Sequence, residues 1–178
     1  SIGAVDFSKP ENQFYEECKV WEGAEITSGA LSINGFTEEQ VKYTNKNSLE
    51  EAVRKFIQWM EKIEDKTLAG ENPNFDKNFL ENSIKRYGID YRVGYRLIDL
   101  HSLSYSHHLK RGIQPPTRNG RTDLNLDKTL QYVGLPEEPN PHNALTGAKM
   151  EAEAFSRLIY GKNLLPEFEK YFVPDYLK

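Results

Sequence analysis

The chain has 178 residues, 38% of them hydrophobic and 28% charged, the size and mix of one globular domain with a single sizeable core. Its formal net charge of −4 excludes a protein that coats nucleic acid by neutralising phosphates wholesale, though not an enzyme that grips a few nucleotides through a local basic rim. The lone Cys18 excludes an internal disulfide and a cysteine-based zinc site, and the sequence has neither an apolar run long enough for a membrane span nor a basic-then-apolar leader, so a cytoplasmic protein with no membrane contact is expected.

Ser1 to Phe7 reads as a strand already in progress, with no initiating Met. The turn cluster Ser8-Lys9-Pro10-Glu11-Asn12 and the alternation from Gln13 to Val20 then predict a hairpin. Thr37-x-x-Gln40 and Ser48-x-x-Glu51 have the spacing of capping boxes, in which the two side chains satisfy each other's backbone N–H at a helix start. Behind the second, Leu49, Val53, Phe56, Met60 and Ile63 recur at three- and four-residue spacings and mark the clearest amphipathic helix.

Thr67 to Gly70 predicts a short strand, and Phe75 to Tyr87 a helix with Phe75, Phe79 and Ile84 inward and Pro73 suited to its first turn. Tyr95 to Leu100 is a further strand, followed by a polar, His-containing segment from His101 to Leu109. Lys110 to Thr122, with Pro115-Pro116 and Asn119-Gly120, reads as the longest loop; it carries Lys110, Arg111, Arg118 and Arg121, the one basic concentration in an acidic chain. Leu124 to Tyr132 is expected to be helical, and Pro141 opens a last helix whose apolar stripe is Leu145, Ala148, Ala152, Phe155 and Ile159. Residues 1–162 read as the domain and 163–178 as a tail that Phe168, Tyr171 and Phe172 fasten to it. Strands first, then strands alternating with helices, point to an α/β layered fold.

Two segments carry chemistry. Asn72-Pro73-Asn74-Phe75-Asp76-Lys77-Asn78-Phe79-Leu80 resembles the second motif of the DEDD superfamily of 3′-to-5′ exonucleases, histidine subclass. That family includes the proofreading exonuclease of bacterial DNA polymerase III, oligoribonuclease and ribonuclease T. Pro141-His142-Asn143-Ala144-Leu145-Thr146-Gly147-Ala148 is similar to its third motif, a His followed five positions later by Asp, with Gly147 where the Asp should stand. Arg96 to Leu100 resembles the strand ending in Asp between these motifs, and Ile2-Gly3-Ala4-Val5 the family's second strand.

The resemblance implies a ribonuclease H-like mixed sheet flanked by helices, its first strand missing from a stretch that starts at Ser1. It implies an exonuclease hydrolysing phosphodiester bonds at the 3′ end of single-stranded DNA or RNA, alone, as a homodimer or with a polymerase partner. Its cofactors are two Mg²⁺ or Mn²⁺ ions on carboxylate oxygens, with a His to take a proton from the attacking water. On that pattern Asp76 is a metal ligand and His142 the catalytic base, while Asn72, Phe75, Phe79, Arg118 and Arg121 hold substrate. The family's first motif, Asp-x-Glu, falls upstream of Ser1, and Gly147 lacks the third-motif carboxylate. Of the usual four acids only Asp76 remains, so hydrolysis is expected to be impaired, leaving a non-catalytic end-binding or protein-docking relative as the alternative.

Plainer readings stand beside these. Asp76 also fits as a carboxylate favoured by the dipole of a helix's first turn, and His142 as a helix-start residue behind Pro141. Glu71 sits where many relatives have a His, and Asp99 reads as a strand-end residue facing the cleft. His101, His107 and His108 lack the spacing that converges imidazoles on a metal and are expected at the surface. Phe75 and Phe79 could wedge between the last bases, though helical spacing favours a core position for at least one.

Overall fold

Asp6 closes the first hairpin. Its carboxylate accepts hydrogen bonds from the Ser8 N–H at 3.0 Å, the Ser8 hydroxyl at 2.7 Å and the Asn12 amide at 3.2 Å, turning the chain between β1 (Ile2–Val5) and β2 (Gln13–Glu16). The strands are antiparallel, Ile2 facing Glu16 and Val5 facing Gln13; the second is shorter than the expected run to Val20, since Cys18 instead bridges Asn47. The computed structural model describes residues 1–43 and 45–178.

A short helix not signalled by the sequence, α1 (Ser28–Asn34), precedes α2 (Glu38–Lys42) and α3 (Leu49–Met60). Both capping boxes are formed, at Thr37/Gln40 and Ser48/Glu51. The expected stripe of α3 is buried from Leu49 to Met60, with Ile63 beyond it, against Leu80, Ile84 and Val93. That cluster is one of two apolar centres.

β3 (Leu68–Gly70) runs through α4 (Pro73–Arg86) to β4 (Leu97–Asp99), which pairs with it in parallel. A parallel pair needs a crossover of this kind, and α4 supplies it. Asp99 ends β4 and caps α5 (Leu100–Lys110), a helix where the sequence suggested only a polar segment. Inside the expected long loop, β5 (Thr117–Arg118) and β6 (Arg121–Thr122) form a hairpin, because Asn119 and Gly120 both accept positive φ (52° and 72°), as a tight two-residue turn demands.

α6 (Leu126–Tyr132) and α7 (Ala144–Tyr160) follow, α7 capped by Asn143 and stopped by Gly161 at φ 64°. At its start α7 lies directly on β1, where Gly3 leaves no room for a Cβ against the Ala144 backbone. Its C-terminal half is sunk into the second apolar centre with Leu100, Leu130, Val133 and Leu165. Ile159, expected in its buried stripe, is instead 48% exposed, because the cover over α7 runs from Met150 to Leu158 and ends before it.

Among the described residues the strands pair two by two, antiparallel in β1–β2 and β5–β6 and parallel in β3–β4. The architecture is α/β, with helices carrying most of the core. No helix among the described residues is long and apolar enough to cross a membrane.

Two fully buried charges fasten the last segment. The Arg157 guanidinium pairs with Glu153 at 2.8 Å and donates to the carbonyls of Val133, Phe168 and Tyr171 at 2.9, 3.2 and 3.0 Å. The second oxygen of Glu153 accepts from the Leu164 and Leu165 N–H groups. Residues 163–178, with their turns at Pro166–Phe168 and Asp175–Leu177, therefore wrap onto α7 through polar bonds as well as through Phe168 and Leu177.

Candidate active site

The segment after β3 places Asp76. Gly70 ends the strand, Asn72 adopts the left-handed conformation (φ 55°), and Pro73 starts α4, which sets Asp76 in the first turn. The Asn72 N–H donates to Asp99 at 3.2 Å, so the ends of the two parallel strands are tied where the helix begins. Asn72 makes no side-chain cap bond and its side chain stays exposed.

The segment before α7 places His142. Its N–H donates to the Ile33 carbonyl at 3.1 Å, anchoring it to the end of α1, and its Nδ1 lies 2.7 Å from Glu138 Oε2. A carboxylate only accepts, so Nδ1 carries a proton, and in the neutral ring it is Nε2 that holds the lone pair. Next in the chain, Asn143 accepts from the Leu145 and Thr146 N–H groups and donates to the Tyr15 hydroxyl at 3.1 Å, fixing the start of α7 against β2.

The two segments meet through Glu151, one turn beyond Gly147 on α7. Its Oε2 accepts from the Glu71 N–H at 3.2 Å and would stand 2.8 Å from a Cβ on Gly70, so only glycine admits this approach. Burial, then the charges of Asp76, Glu71 and Glu138, push the Glu151 carboxyl up to about 8. Burial and the Asp99 carboxylate push Glu71 up to about 7. Asp76 keeps a solvent-open edge, yet the protein around it is dense enough for burial to raise its carboxyl too. Asp99 moves the other way: burial alone would raise it, but bonds from the Ser102 hydroxyl and the Asn72 and Ser102 N–H groups hold it below the usual range.

Three carboxyls thus sit where ionisation is opposed, within electrostatic reach of one another. Glu138 and Glu151 are the residues that sequence reasoning missed. Each lies four positions from a motif residue, Glu138 before His142 in the non-helical segment ahead of α7 and Glu151 after Gly147 within it, so the helical spacing was a signal for Glu151 alone. Gly147 lies inside α7 as a helical residue, and the Glu138 carboxylate occupies the space beside it: a Cβ there would meet Glu138 Oε1 at 2.9 Å.

Donor chemistry and arrangement disagree about a divalent ion. Carboxylate oxygens suit Mg²⁺ or Mn²⁺, and Glu71 Oε2 is buried with no hydrogen-bond partner. Yet among the described residues no three His, Cys, Asp or Glu side chains converge closely enough to hold one ion. The residues present do not form a two-ion site.

Phe75 and Phe79, expected to include a core residue, are both on the outer face of α4, 70% and 43% exposed. The buried face is carried by Leu80, Ser83 and Ile84, which leaves no inward space at 75 and 79. Arg118 and Arg121 flank the tip of the β5–β6 hairpin and are exposed. The hairpin is tethered to the site's edge, since Thr122 Oγ1 lies 3.2 Å from His101 Nε2 and His101 lies 3.8 Å from Asp99. His108 is not a surface residue: it is buried and stacks on Tyr132 at 3.8 Å, with Nδ1 2.8 Å from the Ser104 carbonyl, because α5 turns that face inward.

No family model and no curated protein sequence matches the chain. Solved structures do. The nuclease domain of 3′hExo, a DEDDh family member bound to rAMP, is 18% identical and superposes with a TM-score of 0.66 over 90% of this chain and 79% of its own. Cell-death related nuclease 4 (CRN-4) is 16% identical, TM-score 0.67, over 87% of this chain and 52% of its own. A 3′-exonuclease solved for 3′-end specific recognition of a histone mRNA stem-loop is 17% identical, TM-score 0.58, over 86% and 66%. This chain therefore has the fold of DEDDh-type nuclease domains, and it spans about half of the CRN-4 chain and two thirds of the stem-loop exonuclease.

Proposed function

We propose that this chain, with the fold of a DEDDh nuclease domain, receives the 3′ end of a single-stranded DNA or RNA, and that residues 1–178 by themselves hydrolyse it weakly or not at all. The observation that carries the reading is the pairing of His142 with Glu138 beside the carboxyls of Glu151, Asp76 and Glu71, at the joined starts of α4 and α7. His142 Nε2 faces outward from that pairing as a proton acceptor, the disposition of a general base held by a carboxylate. Asp76 is the inherited ligand position for Mg²⁺ or Mn²⁺, but the remaining acids that would complete a pair of ions are not assembled here. Phe75 and Phe79 present exposed rings on which terminal bases can stack, and Arg118 and Arg121 offer charge to the backbone.

The same features support a second reading, a domain that holds the strand end without cutting it. A labelled single strand incubated with Mg²⁺ or Mn²⁺ separates the two. The comparison is between this chain and a version carrying an upstream Asp-x-Glu strand and Gly147→Asp. Degradation by the restored version alone supports the exonuclease reading, binding by both without degradation supports the end-binding one, and failure of both to bind overturns the reading of the site.

A further inference from the structure

α4 carries more than the site at its start. Phe75, Phe79, Asn82 and Arg86 are spaced four, three and four residues apart, which at 3.6 residues per turn places them within about 60° of arc and along about 16 Å of helix. All four are exposed, while Leu80, Ser83 and Ile84 hold the opposite face in the core. At the far end this stripe enters a groove of about 520 Å³ lined by Phe79, Asn82, Lys85, Arg86 and Trp21. A second groove of about 300 Å³ adjoins it, sharing Trp21 and Arg86 and adding Lys19 and Glu22.

The Arg86 guanidinium carbon lies over the Trp21 ring, 4.0 Å from its centroid. Arg54 and Arg157 are paired with Glu50 and Glu153, but among the described residues Arg86 has no carboxylate or side-chain hydrogen-bond partner. A guanidinium stacked on an aromatic face is held in one plane with its edge N–H groups free, the geometry that takes a phosphate through two parallel bonds. A place in the last turn accounts for the positive charges of Lys85 and Arg86, which complement the helix dipole. It does not account for the stack on Trp21 inside a groove that continues from Phe79.

We infer that the Trp21–Arg86 platform is a second nucleic-acid subsite, which grips the phosphate backbone of a single strand running along α4 from its terminal bases at Phe75 and Phe79. The inference rests on the strand-end reading of the site. With Lys19, Lys85 and Arg86 set against Glu22, the groove is locally cationic in a chain of net charge −4. It sets the aromatic rings of Phe79 and Trp21 beside the cations Lys19, Lys85 and Arg86, which suits a strand whose every residue offers a flat base and a phosphate.

The test is binding of a dinucleotide and of a labelled oligothymidylate of about 8 residues, within the size range single-strand sites occupy, across a salt series. Arg86→Gln with Lys85→Gln should weaken the longer strand about tenfold and lower the magnitude of its salt slope by about 1.4, one phosphate contact contributing about 0.7. The dinucleotide, too short to reach Arg86, should bind unchanged. If the dinucleotide binds but the longer strand shows neither extra affinity nor sensitivity to the double substitution, the platform inference falls while the strand-end reading stands. If neither ligand binds the unaltered chain, both fall. Displacement of the oligonucleotide by an acidic peptide whose own binding needs Arg86 would assign the groove to a protein partner and overturn the inference.

Discussion

The Glu138 carboxylate stands where a side chain on Gly147 would begin, 2.9 Å from the position of its Cβ, while its other oxygen bonds His142 at 2.7 Å. One glutamate therefore fills the space beside Gly147 and orients the histidine. Since the obstructing atom ends a flexible side chain, Gly147→Ala should be accommodated and should gain up to about 1 kcal/mol from helix propensity. Gly147→Asp should displace Glu138 by repulsion and cancel that gain. Urea unfolding of the two variants at pH 7 checks the order.

Glu138→Gln removes the acceptor charge and lets its amide donate to Nδ1 instead. The His142 ring should lose its preference for the Nδ1–H tautomer, read from imidazole ¹⁵N shifts. Unchanged shifts would show that Glu138 does not position the ring.

The raised carboxyls set a pH dependence. Glu71 and Glu151 ionise near 4.5 in the unfolded chain but at about 7 and about 8 when folded, so the folded state binds more protons between those values. Their stabilising contribution is complete below about pH 4.5 and is lost as pH rises through 7 to 8. Stability should fall over that interval, and Glu151→Gln, which keeps an oxygen for the Glu71 N–H, should flatten the fall. Asp6 and Asp99, held low by hydrogen bonds, act in the opposite sense, their contribution being lost as pH falls below the ordinary carboxylate range, so stability should fall on the acid side as well. Urea midpoints across pH 4 to 9 check both arms.

Arg157→Met should cost about 3 to 5 kcal/mol, because it leaves the Glu153 charge buried and strips several backbone carbonyls of their donor. The loss should appear first as proteolysis within 163–178. Intact protease resistance there would show that apolar contacts alone hold the tail.

Phe75→Ala and Phe79→Ala should change stability by no more than about 0.5 kcal/mol, since both rings are solvent-facing. Each should weaken single-strand binding by about 1 to 3 kcal/mol if a base stacks there, measured by fluorescence anisotropy.

The sequence by itself determined the elements whose signals are local. Both capping boxes, the stripe of α3, the strands at Leu68 and Leu97, and the motifs around Asp76 and His142 depend on residues a few positions apart. Tertiary structure decided the rest. α5 was not legible because its buried face is built partly of Ser104 and His108, whose burial depends on distant Tyr132 and on neighbouring helices. The outward turn of Phe75 and Phe79 followed from which side of α4 meets α3, and periodicity leaves that choice open. Glu151 meets Glu71 across 80 positions, its carboxylate close against Gly70, and Glu138 takes the space beside Gly147, where no side chain competes for it. Short-range patterns fix how each piece folds; which charges come to share one place is set by long-range packing, which no spacing along the chain records.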